Sequence, residues 1–198
     1  MRPSALPYAD ALTEFARALG AARTGDVTAA RAAIAKLEQL RDRESQLNEA
    51  YWTEQIDLQR RGADAWLTFA QGDKPDALTK MRAAADAEDR TEKSAVTPGP
   101  LAPAREMLGD MLLESSDPRG ALKEFEATLV KEPNRFRALY GAAHAASLAG
   151  DTAKAKRYFT QLTKMCERAD GPVRRELEEA RNAVRVTASR PPAARNRR

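Results

Sequence analysis

A chain of 198 residues with one cysteine and one histidine is long enough for one ordinary domain or a short array of repeats. Those single residues exclude an internal disulfide, a thiolate-built metal centre and a histidine pair. The formal charge of +4 is concentrated at the C-terminal end, where Arg185, Arg190, Arg195, Arg197 and Arg198 stand without an acid, so the rest of the chain carries a net −1. A body so balanced lacks the basic face that phosphate binding needs, and no nucleic-acid partner is expected. No apolar run approaches the roughly 18 residues that span a bilayer, and no signal peptide opens the chain, so the expectation is a chain without a membrane span, cytoplasmic as written.

Residues 1–6 read as an N-terminal extension. Beyond them the chain divides at a recurring turn. "TGDVTAARAAI" and "QGDKPDALTKM" each place Gly-Asp before an alanine-rich helix start, as "AGDTAKAKRYF" does further on, and "SDPRGALKEF" keeps the aspartate. In each turn the aspartate accepts from orphan amides of the helix it opens, and the glycine ends the helix before it. Asp26, Asp73, Asp117 and Asp151 therefore predict four helical hairpins, over about 7–48, 50–88, 102–133 and 135–168. In the first, Leu6, Tyr8, Leu12 and Phe15 put bulky apolar groups on the opening helix, which predicts an unprotected N-terminal edge open to association.

Spacings between the four aspartates are 47, 44 and 34 residues. In the first interval apolar residues from Ile34 to Phe69 run at helical spacing with no proline, so the helices there are expected to be longer. In the second the excess is "TEKSAVTPGPLAPA", whose Pro98, Pro100 and Pro103 forbid helix continuation and predict a loop over 91–103. Its segment Val96 to Leu101 is expected beside Trp66 and Tyr140, narrowing the mouth of a groove. The last interval is the most regular: Asp117, Ala121 and Phe125 recur at Asp151, Ala155 and Phe159. After the fourth hairpin, Val173, Leu177, Ala180 and Val184 form an apolar stripe behind Pro172, which predicts a capping helix over 172–187. Residues 188–198, with no apolar residue beyond alanine and proline, read as a disordered basic tail. Cys166 reads as a small hydrophobe within a helix rather than a nucleophile.

Thirty-four residues is the length of the tetratricopeptide unit, in which small residues let two helices approach and an aromatic fills the space between them. The third hairpin resembles that family through Leu108, Gly109, Ala121, Phe125 and Pro133; the fourth departs from it at Ala143 and Glu167. From "ALPYADALTEFARALGAARTGD" to "KEPNRFRALYGAA", about residues 3 to 165, the chain is similar to the C-terminal portion of large bacterial tetratricopeptide proteins. The resemblance implies an all-α, right-handed array of about four hairpins with a C-terminal capping helix, and a chain that can be a piece of a longer, exported protein, which would leave its compartment open.

The same resemblance implies that the first helix of each hairpin lines an inner face that holds a peptide. Residues placed there are Glu106, Asp110 and Leu113 from the third hairpin and Arg137, Tyr140, His144 and Ser147 from the fourth. Steps of three and four keep each set on one helix face, and an aromatic ring beside hydrogen-bond donors suits a peptide. Trp66 and Phe69 join them as aromatic candidates, with interhelical packing as their alternative. Glu106 and Asp110 would repel a C-terminal carboxylate, so that specificity does not carry over. No phosphate loop, nucleophile elbow or HExxH pattern occurs. The expectation is a non-enzymatic scaffold without cofactor or metal, whose partner is a protein or peptide bound in the groove. The alternative is a regulatory or substrate-presenting C-terminal domain of a larger protein whose active part lies upstream.

Overall fold

The computed structural model describes residues 6–91, 100–170 and 174–188. They form nine α-helices: α1 (Pro7–Arg23), α2 (Val27–Gln46), α3 (Ala50–Ala70), α4 (Lys74–Arg90), α5 (Ala104–Glu114), α6 (Pro118–Lys131), α7 (Phe136–Leu148), α8 (Thr152–Met165) and α9 (Arg175–Ala188). The helices pack as sequential antiparallel pairs. Two compact units result, one ending at Leu108 and the other beginning at Gly109, so that α5 leaves the first and enters the second.

Local chemistry at the four turns is the same. Asp26, Asp73, Asp117 and Asp151 each accept a hydrogen bond from the amide three residues on, the third position of the helix they open. The residue before each aspartate has a positive φ: 80° at Gly25, 95° at Gly72, 80° at Gly150 and 63° at Ser116. That conformation turns the chain so that the amides of Asp26, Asp117 and Asp151 donate, each over 2.9 Å, to the carbonyls of Ala21, Leu112 and Ala146. One aspartate thus closes one helix with its backbone and opens the next with its side chain. Asp151→Ala is expected to cost about 1 kcal/mol, the usual loss for such a cap; a thermal melt that does not move would remove this account of the turn.

The shared turn sets a shared register in the second helix of every pair. Four residues past the aspartate stands a buried alanine (Ala30, Ala77, Ala121, Ala155), and eight past it a large buried side chain (Ile34, Met81, Phe125, Phe159). The alanine lets the backbones approach while the large residue fills the space one turn further along. The wider aspartate spacing of the first interval lies in helix length: α2 and α3 have 20 and 21 residues, α7 and α8 13 and 14.

In the first unit α1 packs on α2, α2 on α3 and α3 on α4, and α1 also lies against α3. Phe15 is 3% exposed within this stack, and Tyr8 lies over Trp52 with ring centroids 4.1 Å apart. Of the four apolar groups at the N-terminal edge, Phe15 is thus buried and Tyr8 half-buried, while Leu6 and Leu12 are exposed. The start of α1 has no side-chain cap of its own. Its Tyr8 amide donates instead to the carboxylate of Glu44, 2.8 Å away on α2, and Glu44 is itself buried. A carboxylate at a helix N-terminus satisfies an orphan amide and meets the positive end of the helix dipole. Glu88 of α4 does the same for the amide of Ala104 at the start of α5, at 2.7 Å. Glu44→Ala is expected to destabilise the first unit by about 1–3 kcal/mol, because it strands a buried donor. The check is faster hydrogen exchange at the start of α1; unchanged exchange there would contradict it.

In the second unit α6 packs on α7, α7 on α8 and α8 on α9. Phe125 occupies its centre, 1% exposed. Two glycines make room for its ring. A Cβ on Gly109 of α5 would lie 2.8 Å from the ring, and one on Gly141 of α7 2.5 Å from it. Both distances are well inside van der Waals contact, so the ring is clasped between two bare helix backbones. Cys166 ends α8 at its C-cap.

Of the Pro-rich segment, Pro103 is buried beside the start of α5 and Leu101 is exposed. Val96, Pro98 and the rest of 92–99 lie outside the described residues, as do Pro172, Val173 and the tail from 189 onward. The expected placement of Val96 to Leu101 beside a groove therefore stays an expectation. The last helix begins at Arg175, with Leu177 and Ala180 of the anticipated stripe buried.

Candidate functional site on the face of α7

Helix α7 is rich in small residues, and Ala138, Leu139, Ala142, Ala143, Ala145 and Ala146 are all buried. Of the side chains left accessible, Arg137, Tyr140, His144 and Ser147 form one strip, because steps of three and four residues return to one side of a helix, while Phe136 is half-buried at its start and Leu148 exposed at its end. The structure brings these four together as expected from their spacing. Arg137 reaches back to α5, its guanidinium donating to Asp110 at 2.9 Å, with Arg137 61% exposed. An ion pair so open to water adds little to stability. Leu113, three residues beyond Asp110 on α5, is half-buried.

Further along the strip, the rings of Tyr140 and His144 stack with centroids 5.8 Å apart and planes 11° from parallel. Both face Glu179 of α9. The Tyr140 hydroxyl donates to one carboxylate oxygen at 2.7 Å, and His144 Nδ1 lies 3.6 Å from the other. Burial, then the hydrogen bond and charge of Glu179, push the Tyr140 phenol well above its ordinary pKa. The hydroxyl therefore stays a donor over the whole range in which proteins work.

Two of the candidates lie elsewhere than in an open groove. Glu106 is 1% exposed. Its helix α5 is largely covered, with Ala104, Met107, Leu108, Met111 and Leu112 buried, so its accessible side chains are Arg105, Asp110, Leu113 and Glu114. Trp66 is 3% exposed and packs edge-on against Phe69 at 5.4 Å, with the Arg23 guanidinium 4.4 Å from its ring. Its alternative reading, interhelical packing, is the one the structure supports. Phe69 keeps partial exposure under the Lys74 ammonium, 5.3 Å away. Both rings belong to the first unit and are described apart from the α7 strip.

Two polar clusters had no signal in the spacing of the sequence. In the first unit Asp57 of α3 accepts from Arg41, Arg60 and Arg61 at 3.3, 3.0 and 2.6 Å. Burial works to raise the Asp57 pKa, but the bonds and charges of Arg60 and Arg61 outweigh it and hold the carboxyl below its ordinary range. A shallow cleft of about 740 Å³ opens beside it, between Arg41, Ser45, Asn48, Thr53 and Glu54. In the second unit Glu126 of α6 accepts from Lys154 and from the Tyr158 hydroxyl of α8, at 3.0 and 2.7 Å. Burial again works upward there and is outweighed by Lys154, Tyr158 and Arg157, so the Glu126 pKa is lowered. A lowered carboxylate pKa contributes stability above the ordinary range that is lost as pH falls through the folded-state value. Both clusters are internally satisfied ties between helices.

Among the described residues no group of three or more His, Cys, Asp or Glu side chains is placed to hold a metal ion, and no helix is long and apolar enough to cross a membrane. No family model, curated protein or solved structure matches the chain.

Proposed function

We propose that this chain is a non-enzymatic binding module of the tetratricopeptide type, holding a peptide or a partner helix against the strip that α5 and α7 present. Support for the type comes from the register of the last two hairpins. Their aspartate, alanine and phenylalanine recur 34 residues apart, and the phenylalanine of the third is clasped by glycines of the flanking helices. Support for binding rests on one observation above the others. Among the accessible side chains of α7, an arginine, a tyrosine, a histidine and a serine stand in one line, with Phe136 and Leu148 accessible at the two ends of the helix. Such a line offers aromatic area together with donors, the mixture that recurs at recognition surfaces.

A random-peptide phage library panned on the full chain tests this. Clones enriched on the chain are expected to lose binding when Arg137→Glu reverses the charge of the strip or Ser147→Trp obstructs it. Both positions are exposed, so these changes read binding rather than folding. No enrichment over a blank support, or clones indifferent to both substitutions, would contradict the proposal.

A further inference from the structure

Helix α9 does more than cover an end. It packs on α8 and also runs beside α7 in the same direction, with the Arg174 guanidinium 5.1 Å from the Phe136 ring at the start of α7 and Glu179 on Tyr140 and His144 further along. Through Glu179 it sits on part of the strip that would receive a partner, at Tyr140 and His144. Its hold is a short apolar stripe: Leu177 and Ala180 are buried, Ala183 and Val184 half-buried, and Val186 is 68% exposed. The polar contact is between half-exposed groups, His144 at 38% and Glu179 at 42%, where water competes for every hydrogen bond.

Resting on the peptide-binding reading, we propose that α9 is a resident occupant of the strip, exchanged for a partner helix that is amphipathic and carries a carboxylate where Glu179 stands. The seat itself specifies that chemistry. Tyr140, held as a donor, requires an acceptor; His144 beside it favours a negative one; and the neighbouring surface takes a leucine and an alanine at the spacing of Leu177 and Ala180, three residues apart on one helix face. A partner then binds only as often as α9 leaves, which lowers its apparent affinity by the fraction of time the seat is open.

The experiment uses a fluorescein-labelled peptide of residues 174–188 as the probe, titrated into the full chain and followed by anisotropy. Against wild type the probe competes with the attached α9. Against a full chain carrying Leu177→Asp and Glu179→Lys it meets an emptied seat, and binding is expected to tighten by about tenfold or more. The same peptide synthesised with Glu179→Lys is expected not to bind. Hydrogen exchange at α7 and α8 shows whether the doubly substituted chain keeps its fold; if it does not, Glu179→Gln alone is used, with a smaller increase in the same direction. Equal affinity for the wild-type and weakened chains, or binding to neither, would overturn the exchange. Such a failure is separate from failure of the binding reading, which the phage selection decides without the α9 peptide.

Discussion

Replacing Phe125 by alanine is expected to lower the stability of the second unit by about 3–5 kcal/mol, the usual cost of emptying a buried aromatic site. The ring is 1% exposed, and Gly109 and Gly141, which face it, carry no side chain that could move into the space it leaves. Gly141→Ala alone is expected to destabilise by about 1–3 kcal/mol, since its methyl would sit 2.5 Å from the ring. Combined with Phe125→Ala the same methyl enters vacated space and brings the better helix propensity of alanine, about 1 kcal/mol. The two changes should therefore be strongly non-additive, with Gly141→Ala neutral or stabilising in the second background. Urea unfolding followed by circular dichroism reads both arms. Simple additivity would mean that ring and glycine do not share the contact.

Trp66→Ala should have a comparable effect in the first unit, again about 3–5 kcal/mol. Here the aromatic is covered on several sides: α3 supplies the Phe69 edge, α1 the Arg23 guanidinium, and 3% of the residue remains exposed. The cation over the ring contributes on the order of 1 kcal/mol at most at so peripheral a position, so Arg23→Ala should cost far less than loss of the indole. Trp66→Phe should fall between them. Thermal melts of the three variants test the order, and a Trp66→Ala chain as stable as wild type would return Trp66 to the list of open, ligand-facing aromatics.

What the sequence revealed and what it concealed divide along a physical line. Turn chemistry is local, so the four aspartates could be read directly; the positive φ of Ser116, where the other three turns have Gly25, Gly72 and Gly150, carried no such signal. The alanine and large-residue register of the second helices follows from those caps by helical periodicity alone. Glu44 and Glu88 were illegible for the opposite reason. Each caps a helix whose start lies 36 or 16 residues away in the chain, and only packing brings the pairs together. The amphipathic stripe of α9 announced a helix in need of cover but not which neighbour would supply it, and so Glu179 on Tyr140 and His144 was unforeseen. Glu106 is different: Met107, Leu108, Met111, Leu112 and Leu113 spread apolar side chains over most of the α5 circumference. That width was a visible sign that little of the helix would stay open.

The claim that the α7 strip binds polypeptide is tested most directly by hydrogen exchange on the full chain with and without a phage-selected peptide. Protection is expected to rise at Arg137 to Ser147 and on the neighbouring turns of α5 from Asp110, while amides of α9 exchange faster as Glu179 gives up its partners. Protection confined to other helices, with α7 and α9 unchanged, would contradict the account.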